Sequence, residues 1–365
     1  MNLYKNEKND RAISKVQHLQ AVERVPVHFS DQLDFLGGWL NLDRQLYHLD
    51  PDVTLDAQVR FNQSFEGTGI LGPNYGVALE PSAFGAEIIF TPENPPWVTT
   101  ACSNFEDLQD YTAGLKDPDP LFSGCLPLLY QSYFSMRKTT DGAIAPPLGV
   151  LASLDVATLL VGMENLCMAI KLAPDTVHGL LGKINRFLIN FIETKARLFN
   201  VTTVALLDLY GDNAAYLSRD DFMQFVAPYN KAIYEYFKDD GTVCLYHSDG
   251  NLGHLIDAIP ETGANCLYSF DPHTDLAKFV EAIGDRVCLM GNIDPIRVMR
   301  NGTVEEVKGS VRRILEVGMK AKGFVLSTGG ELANGTPPEN IRAALETAEL
   351  YGKYEPVRGV RAGPS

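Results

Sequence analysis

The stretch Thr242-Val-Cys-Leu-Tyr-His-Ser-Asp-Gly250 decides how the rest of the chain is interpreted. Its apolar, aromatic and thiol-bearing residues predict a short buried strand, which delivers His247 and Asp249 to the loop where the strand ends. Side chains two residues apart point to the same side of an extended segment, so His247 and Asp249 are expected to act together. We expect Asn251 to cap a helix over residues 251–259. Catalytic groups of α/β enzymes stand at such strand-to-helix loops.

The same alternation of strand and helix recurs along the chain. Strands are predicted near residues 25, 68, 146, 203, 243, 265, 288 and 324, and helical patterns separate most of them. Alternating strands and helices predict a parallel sheet of the α/β class. Eight such units favour a (β/α)8 barrel of the TIM type over an open doubly wound sheet. A dinucleotide-binding fold also lacks its signature, because no Gly-x-Gly-x-x-Gly motif follows a strand.

Residues 76–142 interrupt this regular alternation. Two short apolar runs at 76–80 and 86–90, separated by a proline-containing turn, predict a β-hairpin. The remainder is rich in Pro, Gly and Asp, with a helix expected over residues 126–137. We interpret this stretch as an elaboration inserted into a single barrel domain that spans residues 1–365.

Composition restricts the class of protein. The 365 residues carry 46 acidic and 31 basic side chains, and the formal charge of −15 argues against a nucleic-acid surface. No apolar run approaches the roughly 18 residues that span a bilayer, and the first ten residues are too polar for a signal peptide. Six cysteines without a Cys-x-x-Cys pair are expected to be buried free thiols. We therefore expect a cytoplasmic protein with neither nucleic acid nor membrane as a partner.

Polar side chains collect at the predicted carboxyl ends of the strands, where barrel enzymes form their sites. In chain order they are Ser30 and Asp31; Asp208, Asp212 and Asn213; His247 and Asp249; Asp271 and His273; Asn292 and Asp294; Thr328 and Glu331. Carboxylates and imidazoles there could bind a metal, transfer protons or hold a polar substrate. Asp and Asn at such junctions are also ordinary helix N-caps, which is the simpler explanation for any one of them.

Four stretches resemble the uroporphyrinogen decarboxylase superfamily in order and spacing. They are His247-Ser-Asp-Gly-Asn251, Gly291-Asn-Ile-Asp-Pro295, Gly302-Thr-Val-Glu-Glu-Val307 and Gly335-Thr-Pro-Pro-Glu-Asn-Ile341. The resemblance covers about residues 140–350 and implies a (β/α)8 barrel. The decarboxylases of this superfamily carry an N-terminal Arg-Gln-Ala-Gly-Arg type motif that binds substrate carboxylates. Residues 27–34 here contain acids and no arginine, so a substrate with many carboxylates would be repelled.

The chain resembles more closely the branch of corrinoid-dependent methyltransferases, which move a methyl group between a small substrate and cobalamin on a separate protein. The thiol-methylating members bind zinc through a His-x-Cys pair and a later Cys in a Gly-Cys-Gly type turn. Here His247 matches the histidine, Asp249 stands in place of the first Cys, and Glu331 follows Gly330 near the second. Zinc accepts carboxylate ligands. The resemblance therefore leaves open a zinc site of His247, Asp249 and Glu331, and equally a site without metal.

The resulting interpretation is a methyltransferase that acts on a small methyl ether or methylamine. The residues expected to act in catalysis are His247, Asp249 and Asp208. The residues expected to contact the substrate are Asp212, Asn213, Asp271, Asn292 and Asp294. The chain contains no cobalamin-binding motif of the Asp-x-His-x-x-Gly type, so the cobalamin is expected on a corrinoid protein partner.

Two other functions remain open from the sequence. The first is a cofactor-free decarboxylase of a small carboxylic acid, which needs a cation to hold the carboxylate. The predicted strand ends are poor in Arg and Lys, which counts against it. The second is a non-catalytic barrel that binds a ligand or partner, and the density of polar groups at one end counts against that.

Overall fold

The computed structural model of this protein describes residues 3, 5–29, 32–212, 214–248 and 250–355. The strands are β1 (Ile88–Ile89), β2 (Trp97–Val98), β3 (Val150–Leu151), β4 (Leu206–Tyr210), β5 (Val243–His247), β6 (Cys266–Tyr268), β7 (Cys288–Ile293) and β8 (Phe324–Thr328). The helices are α1 (Glu7–Gln17), α2 (Leu33–Trp39), α3 (Arg44–Leu49), α4 (Pro51–Ser64), α5 (Leu79–Ala83), α6 (Leu108–Gly114), α7 (Leu126–Thr139), α8 (Ser153–Val161), α9 (Met163–Leu172), α10 (Pro174–Leu198), α11 (Arg219–Phe225), α12 (Ala227–Phe237), α13 (Leu276–Ile283), α14 (Val304–Gly318) and α15 (Pro338–Tyr351).

Strands β3 to β8 form one parallel sheet in chain order. The segment before α2 extends this sheet, because Val27 bridges Leu326 of β8 and Phe29 bridges Gly69, both in parallel. These bridges place the first predicted strand beside β8 and the second beside the first, which is the order of strands in a closed barrel. At the other edge, the described pairings contain no strand beside β3. The prediction of a parallel α/β sheet is therefore confirmed, whereas closure into a complete eight-stranded barrel is not shown.

Side-chain alternation divides the strands into two faces. Outward residues such as Leu207 and Leu209 of β4 join the main apolar core. A second apolar cluster lies on the inner face and joins Val16 of α1 to Leu245, Tyr268, Met290 and other residues of β5 to β8. Helix α1 therefore covers the amino-terminal ends of these strands. The opposite, carboxyl ends of the strands carry the polar side chains and form the polar end of the sheet.

The predicted hairpin is only partly correct. A β-hairpin does form in the elaboration, but its antiparallel strands are β1 and β2, with Ile88 opposite Val98. The first predicted arm, residues 76–80, runs instead into helix α5, whose residues Leu79 to Ser82 are buried. A run of four or five apolar residues fits a strand or a buried helix equally well, and tertiary burial decides between them.

The predicted helix over residues 251–259 is wrong. Asn251 accepts a hydrogen bond from the N–H of Gly253 at 3.0 Å and so closes a turn rather than capping a helix. A short 3-10 helix, Ile259–Thr262, follows these turns. Elsewhere Pro174 opens α10, whose apolar residues at helical spacing are buried.

The apolar stretch of residues 153–172 is divided into two helices. It breaks at Gly162, whose φ of +82° favours glycine, into α8 and α9. Within the described ranges no single helix is long and apolar enough to cross a membrane, and only the pair α8 and α9, bent by 109°, passes that test jointly. The six cysteines are free, as expected, and four of them are buried.

Candidate functional site

The centre of the candidate site is His247, the last residue of β5. Its Nδ1 lies 4.0 Å from Oδ2 of Asp208 on β4. Its ring also packs edge-to-face against Tyr268 of β6, with centroids 4.6 Å apart. Asp208 pairs with Leu245 and His247 with Tyr268 in the strand register, so all of them belong to the inner face. The sequence-predicted catalytic residues His247 and Asp208 are therefore neighbours.

The exposure of these two side chains differs. The side chain of His247 is 10% exposed, whereas that of Asp208 is 25% exposed. Their separation is too long for a hydrogen bond but short enough for a strong electrostatic interaction. Catalytic groups at such a distance often come within hydrogen-bonding distance only when substrate binds. The geometry suits an imidazole that holds or transfers a proton beside an orienting carboxylate.

Two inner-face polar atoms have unused hydrogen-bonding capacity. Oδ1 of Asp208 and Oγ of Ser327 are buried and have no hydrogen-bond partner in the described part of the chain. Ser327 stands on β8 opposite Asn292 of β7. Most buried polar atoms of folded proteins are hydrogen-bonded. Atoms that lack such a bond at the carboxyl end of a sheet are available to a ligand or to water.

Asp212 and Asn292, predicted to bind substrate, are held by structural contacts. Asp212 is fully buried, accepts a hydrogen bond from Asn230 at 2.6 Å, and donates its N–H to the carbonyl of His247 at 3.1 Å. Burial raises the pKa of Asp212 to about 7. Asn292 donates weakly, at 3.4 Å, to the carbonyls of Asp271 and Thr274. Both residues tie strand-end loops to the neighbouring strands, and their contact with substrate stays a prediction.

Asp271 and Asp294 bind groups of their own loops. Oδ1 of Asp271 accepts the N–H of His273 at 2.6 Å and lies 2.9 Å from its Nδ1. Oδ1 of Asp294 accepts the N–H groups of Ile296 and Arg297 at 3.0 and 2.7 Å and so caps a π-helical turn. The N-cap explanation weighed from the sequence therefore fits Asp294 well.

The predicted metal ligands are only partly described. An oxygen of Glu331 accepts the N–H of Asp34 at the start of α2. Residues 213 and 249, together with 30 and 31, lie outside the described residues, so the roles predicted for Asn213 and Asp249 are not tested. Among the residues that are described, no three His, Cys, Asp or Glu side chains form a group that could hold a metal ion. The described side chains of His247 and Glu331 do not by themselves form a zinc site, so zinc binding stays a prediction.

Sequence reasoning gave too little weight to His28 and missed Glu80. The neighbours of His28, Val27 and Phe29, belong to the main core, so alternation turns the His28 side chain to the inner face. Enclosure by protein lowers the pKa of His28 to about 4, which keeps its imidazole neutral at physiological pH. The alternation of residues 25–29 is the signal that could have identified it. No sequence pattern marks Glu80, which is fully buried beside β3.

A parallel sheet in barrel order, with an imidazole–carboxylate pair at its carboxyl end, defines the class of barrel-type α/β enzymes. The family model of uroporphyrinogen decarboxylase (URO-D) matches residues 8–351. The chain belongs to the uroporphyrinogen decarboxylase family. The resemblance identified from the four sequence stretches is confirmed.

Its relatives include methyltransferases and decarboxylases. The methylated-thiol–coenzyme M methyltransferase of Methanosarcina mazei is 25% identical over 306 residues, 83% of this chain and 78% of that protein. The methylcobamide:CoM methyltransferase MtbA of the same organism is 27% identical over 165 residues, 44% and 46% of the two chains. Uroporphyrinogen decarboxylases also match, over about half of the chain.

A solved structure shares the fold along nearly the whole chain. A methyltransferase from Methanosarcina mazei superposes with a TM-score of 0.74 at 20% identity, covering 94% of this chain and 98% of that one. The first of the two methyltransferase relatives also matches over more of this chain than the decarboxylases do. The predicted closeness to the methyltransferase branch is confirmed.

Proposed function

We propose that the chain is a methyltransferase of a corrinoid-dependent system, which moves a methyl group between a small substrate and cobalamin on a separate corrinoid protein. The methyltransferase relative matched over 83% of the chain supports the activity. The relative that uses methylcobamide supports a corrinoid as the methyl carrier. The single observation that carries the proposal is the His247–Asp208 pair at the polar end of the sheet.

The pair supplies the proton chemistry that methyl transfer requires. A protonated methylamine leaves as a neutral amine without further protonation. When the C–O bond of a methyl ether breaks, the departing oxygen needs a proton. His247 can donate that proton, while Asp208 at 4.0 Å stabilises the charged imidazolium and orients its ring. Tyr268 restricts the ring from its other side. The corrinoid, when bound at the polar end, accepts or supplies the methyl group.

We infer a methylamine or methyl ether as the substrate. The described inner face offers a carboxylate with an unused oxygen and an aromatic ring beside His247. The carboxylate attracts a cationic amine through its charge. Asp249, Asn213, Asp212, Asp271, Asn292 and Asp294 are proposed as further contacts at the same end. The alternative activator in this proposal is a zinc ion held by His247, Asp249 and Glu331, in which case His247 binds the metal and does not donate the proton. Metal analysis of wild type and H247A tests it.

The second candidate is cofactor-free decarboxylation of a small carboxylic acid, which the decarboxylase relatives favour. This reaction needs a cation for the substrate carboxylate. The described basic side chains that are buried, Arg44 and Lys195, already bind Asp34 and the carbonyl of Gly149. The methyltransferase is therefore the better-supported proposal.

One experiment separates the two candidates. Purified protein is incubated with free cob(I)alamin and a panel of methylamines, methyl ethers, methylated thiols and small carboxylic acids. We expect the absorbance change of corrinoid methylation with an amine or ether, and its loss in H247A. Carbon dioxide released from an acid without any corrinoid change would replace the proposal by the decarboxylase. Methylation with thiols alone would retain the methyltransferase and overturn the substrate class.

A further inference from the structure

A second row of polar side chains lies on the inner face of the sheet, apart from the candidate catalytic pair. Val27 bridges Leu326 in parallel, and the N–H of His28 donates to the carbonyl of Leu326 at 3.0 Å. This register places His28 beside Ser327, the next residue of β8. Ser327 in turn pairs with Asn292 of β7. The proposed mechanism makes no use of His28 or Ser327.

The row stands at the polar end of the sheet. Val325 and Met290, which pair with each other, belong to the inner apolar cluster. Ser327 and Asn292 come two residues later on the same two strands, so they point to the same side, one step nearer the carboxyl ends. His28 shares that face, because both of its chain neighbours belong to the main core. The row therefore lines the same end of the sheet as the catalytic pair.

Strand order sets this row opposite the catalytic pair. After β5, which carries His247, come β6, β7, β8 and then the strand of His28. In an eight-stranded barrel order the fourth neighbour of a strand stands on the facing wall. A small reactant between the two walls therefore presents one end to His247 and the other to His28.

The backbone that carries His28 is fixed on both sides. Asn9 of α1 donates to the carbonyl of Val27 at 2.8 Å and accepts its N–H at 3.1 Å. The N–H of Phe29 donates to the carbonyl of Thr68 at 2.7 Å. A binding group on a rigid strand is held ready for its ligand. The position of the His28 imidazole is thus set before any reactant arrives.

Both side chains of the pair have unused hydrogen-bonding capacity. Oγ of Ser327 is buried and has no hydrogen-bond partner in the described part of the chain. Neither ring nitrogen of His28 has a partner among the described residues, and this residue is partly exposed. Polar atoms in the interior are seldom left without a partner. Two adjacent side chains in this state suit a polar group of a ligand.

The pair is electrically neutral. Burial lowers the pKa of His28 to about 4, so its imidazole carries no charge at physiological pH. A neutral imidazole has one N–H donor and one acceptor nitrogen, and the hydroxyl of Ser327 also donates and accepts. A carboxylate there would lack a cation, because the buried described cations, Arg44 and Lys195, are bound to other groups. A hydroxyl satisfies both side chains without any charge.

We infer that His28 and Ser327 form a subsite for a neutral hydroxyl group on the methylated substrate, at the end away from the transferred methyl group. They hold the part of the substrate that remains after demethylation, while His247 and Asp208 act at the bond to the methyl group. The predicted substrate is a methyl ether or methylamine whose leaving group carries a hydroxyl. Its reaction rests on the proposed function, whereas binding of the hydroxyl does not.

The direct test is ligand binding in the absence of corrinoid. Ligand-observed NMR measures the dissociation constants of para-methoxyphenol, anisole and para-methoxybenzoate, which carry a hydroxyl, no second group and a carboxylate. The para position places that group across the ring from the methyl group. Wild type should bind para-methoxyphenol about tenfold more tightly than anisole, as one or two hydrogen bonds provide. It should bind para-methoxybenzoate no better than anisole.

Two variants remove the subsite independently. H28F keeps a ring but no nitrogen, and S327A removes the hydroxyl. Each should reduce the preference for para-methoxyphenol over anisole to about threefold or less. H28Q keeps a neutral donor and acceptor and should retain part of the preference. In methyl transfer, H28F and S327A should raise KM for para-methoxyphenol and leave KM for anisole unchanged.

The matched control is His254, which lies outside the row. It is exposed, and its Nε2 lies 2.8 Å from the carbonyl of Leu217. H254Q should leave the three dissociation constants and the kinetics unchanged.

The outcomes separate the subsite from the reaction. A hydroxyl preference that both variants reduce, and H254Q does not, supports the inference. No preference in wild type, or one that survives in H28F and S327A, overturns it. Tighter binding of para-methoxybenzoate that H28F weakens also overturns it, because His28 would then hold a carboxylate. The expected preference in a protein that transfers no methyl group would retain the subsite and remove the proposed function. If H28F does not fold, S327A carries the test, since an unpartnered hydroxyl contributes little to stability.

Discussion

The carboxylates at the polar end of the sheet fall into two groups, those on the inner wall and those in the loops beyond it. Asp208 projects from the wall, reaches solvent and lies beside His247. Asp212 is buried against Asn230, and Asp294 binds N–H groups of its own loop. All stand near the predicted end of a strand. The comparison teaches that position alone does not make a carboxylate available, because it also needs access and an unfilled hydrogen-bonding site.

The largest effect is expected at the inner wall. D208N removes the charge that stabilises a protonated His247 and should lower kcat for methyl transfer about 100-fold or more. The free energy of unfolding should change by less than about 1 kcal/mol, because asparagine has the same shape. Steady-state kinetics and urea denaturation measure the two quantities. A kcat within threefold of wild type would show that Asp208 has no larger role in catalysis than the loop carboxylates.

For the buried loop carboxylate the expected effect is chiefly on stability. The pKa of Asp212 rises from 3.8 to about 7 on folding. The folded state therefore binds this proton more tightly, and its stability falls as the pH rises from about 4 to 7. D212N abolishes this fall and should raise the free energy of unfolding at pH 8 by about 2–4 kcal/mol relative to wild type. Urea denaturation of wild type and D212N at pH 4.5 and 8 measures this difference. An equal change in the free energy of unfolding between the two pH values in both proteins would contradict the prediction.

The smallest effect is expected at the capping carboxylate. D294A removes the side chain that accepts the N–H groups of Ile296 and Arg297, at a cost of about 1 kcal/mol in stability. Methyl-transfer activity should stay within a few fold. D294S, which keeps a capping oxygen, serves as the control in thermal and urea denaturation. A large loss of activity at unchanged stability would show that Asp294 acts in methyl transfer rather than only as a cap.

The accuracy of the fold predicted from the sequence differs between the amino-terminal and carboxyl-terminal parts of the chain. The predicted elements from Pro174 onward mostly formed, because α10, α14 and the buried strands have long, regular apolar patterns. Residues 32–98 form a hairpin and four helices, three of which have only five to seven residues. Short runs carry little periodicity, so tertiary contacts such as that of Glu80 with Leu151 decide their structure. The helix expected after β5 failed for a similar reason, since Asn251 closes a local turn.

The residues of the candidate site could be selected from the sequence, but their contacts could not. His247 and Asp208 were both predicted at the ends of their strands, and Asp208 lies within β4, two residues before its last residue. This position places Asp208 on the inner wall beside His247. Glu80 had no sequence signal, because it and Leu151, whose N–H it accepts, are far apart in the chain and meet only through the fold. Side-chain access and long-range pairing are set by packing, which a pattern of residue types does not contain.

Helix α1 covers the amino-terminal ends of β5 to β8 and packs Val16 against their inner face. The polar end is then the route by which both reactants of the proposed methyl transfer reach His247. A small methylated compound and a much larger corrinoid protein would share that entrance. The large partner, once seated, blocks the small one from entering or leaving. Compulsory-order kinetics follow, with the small reactant first on and last off, and inhibition by an excess of the corrinoid protein.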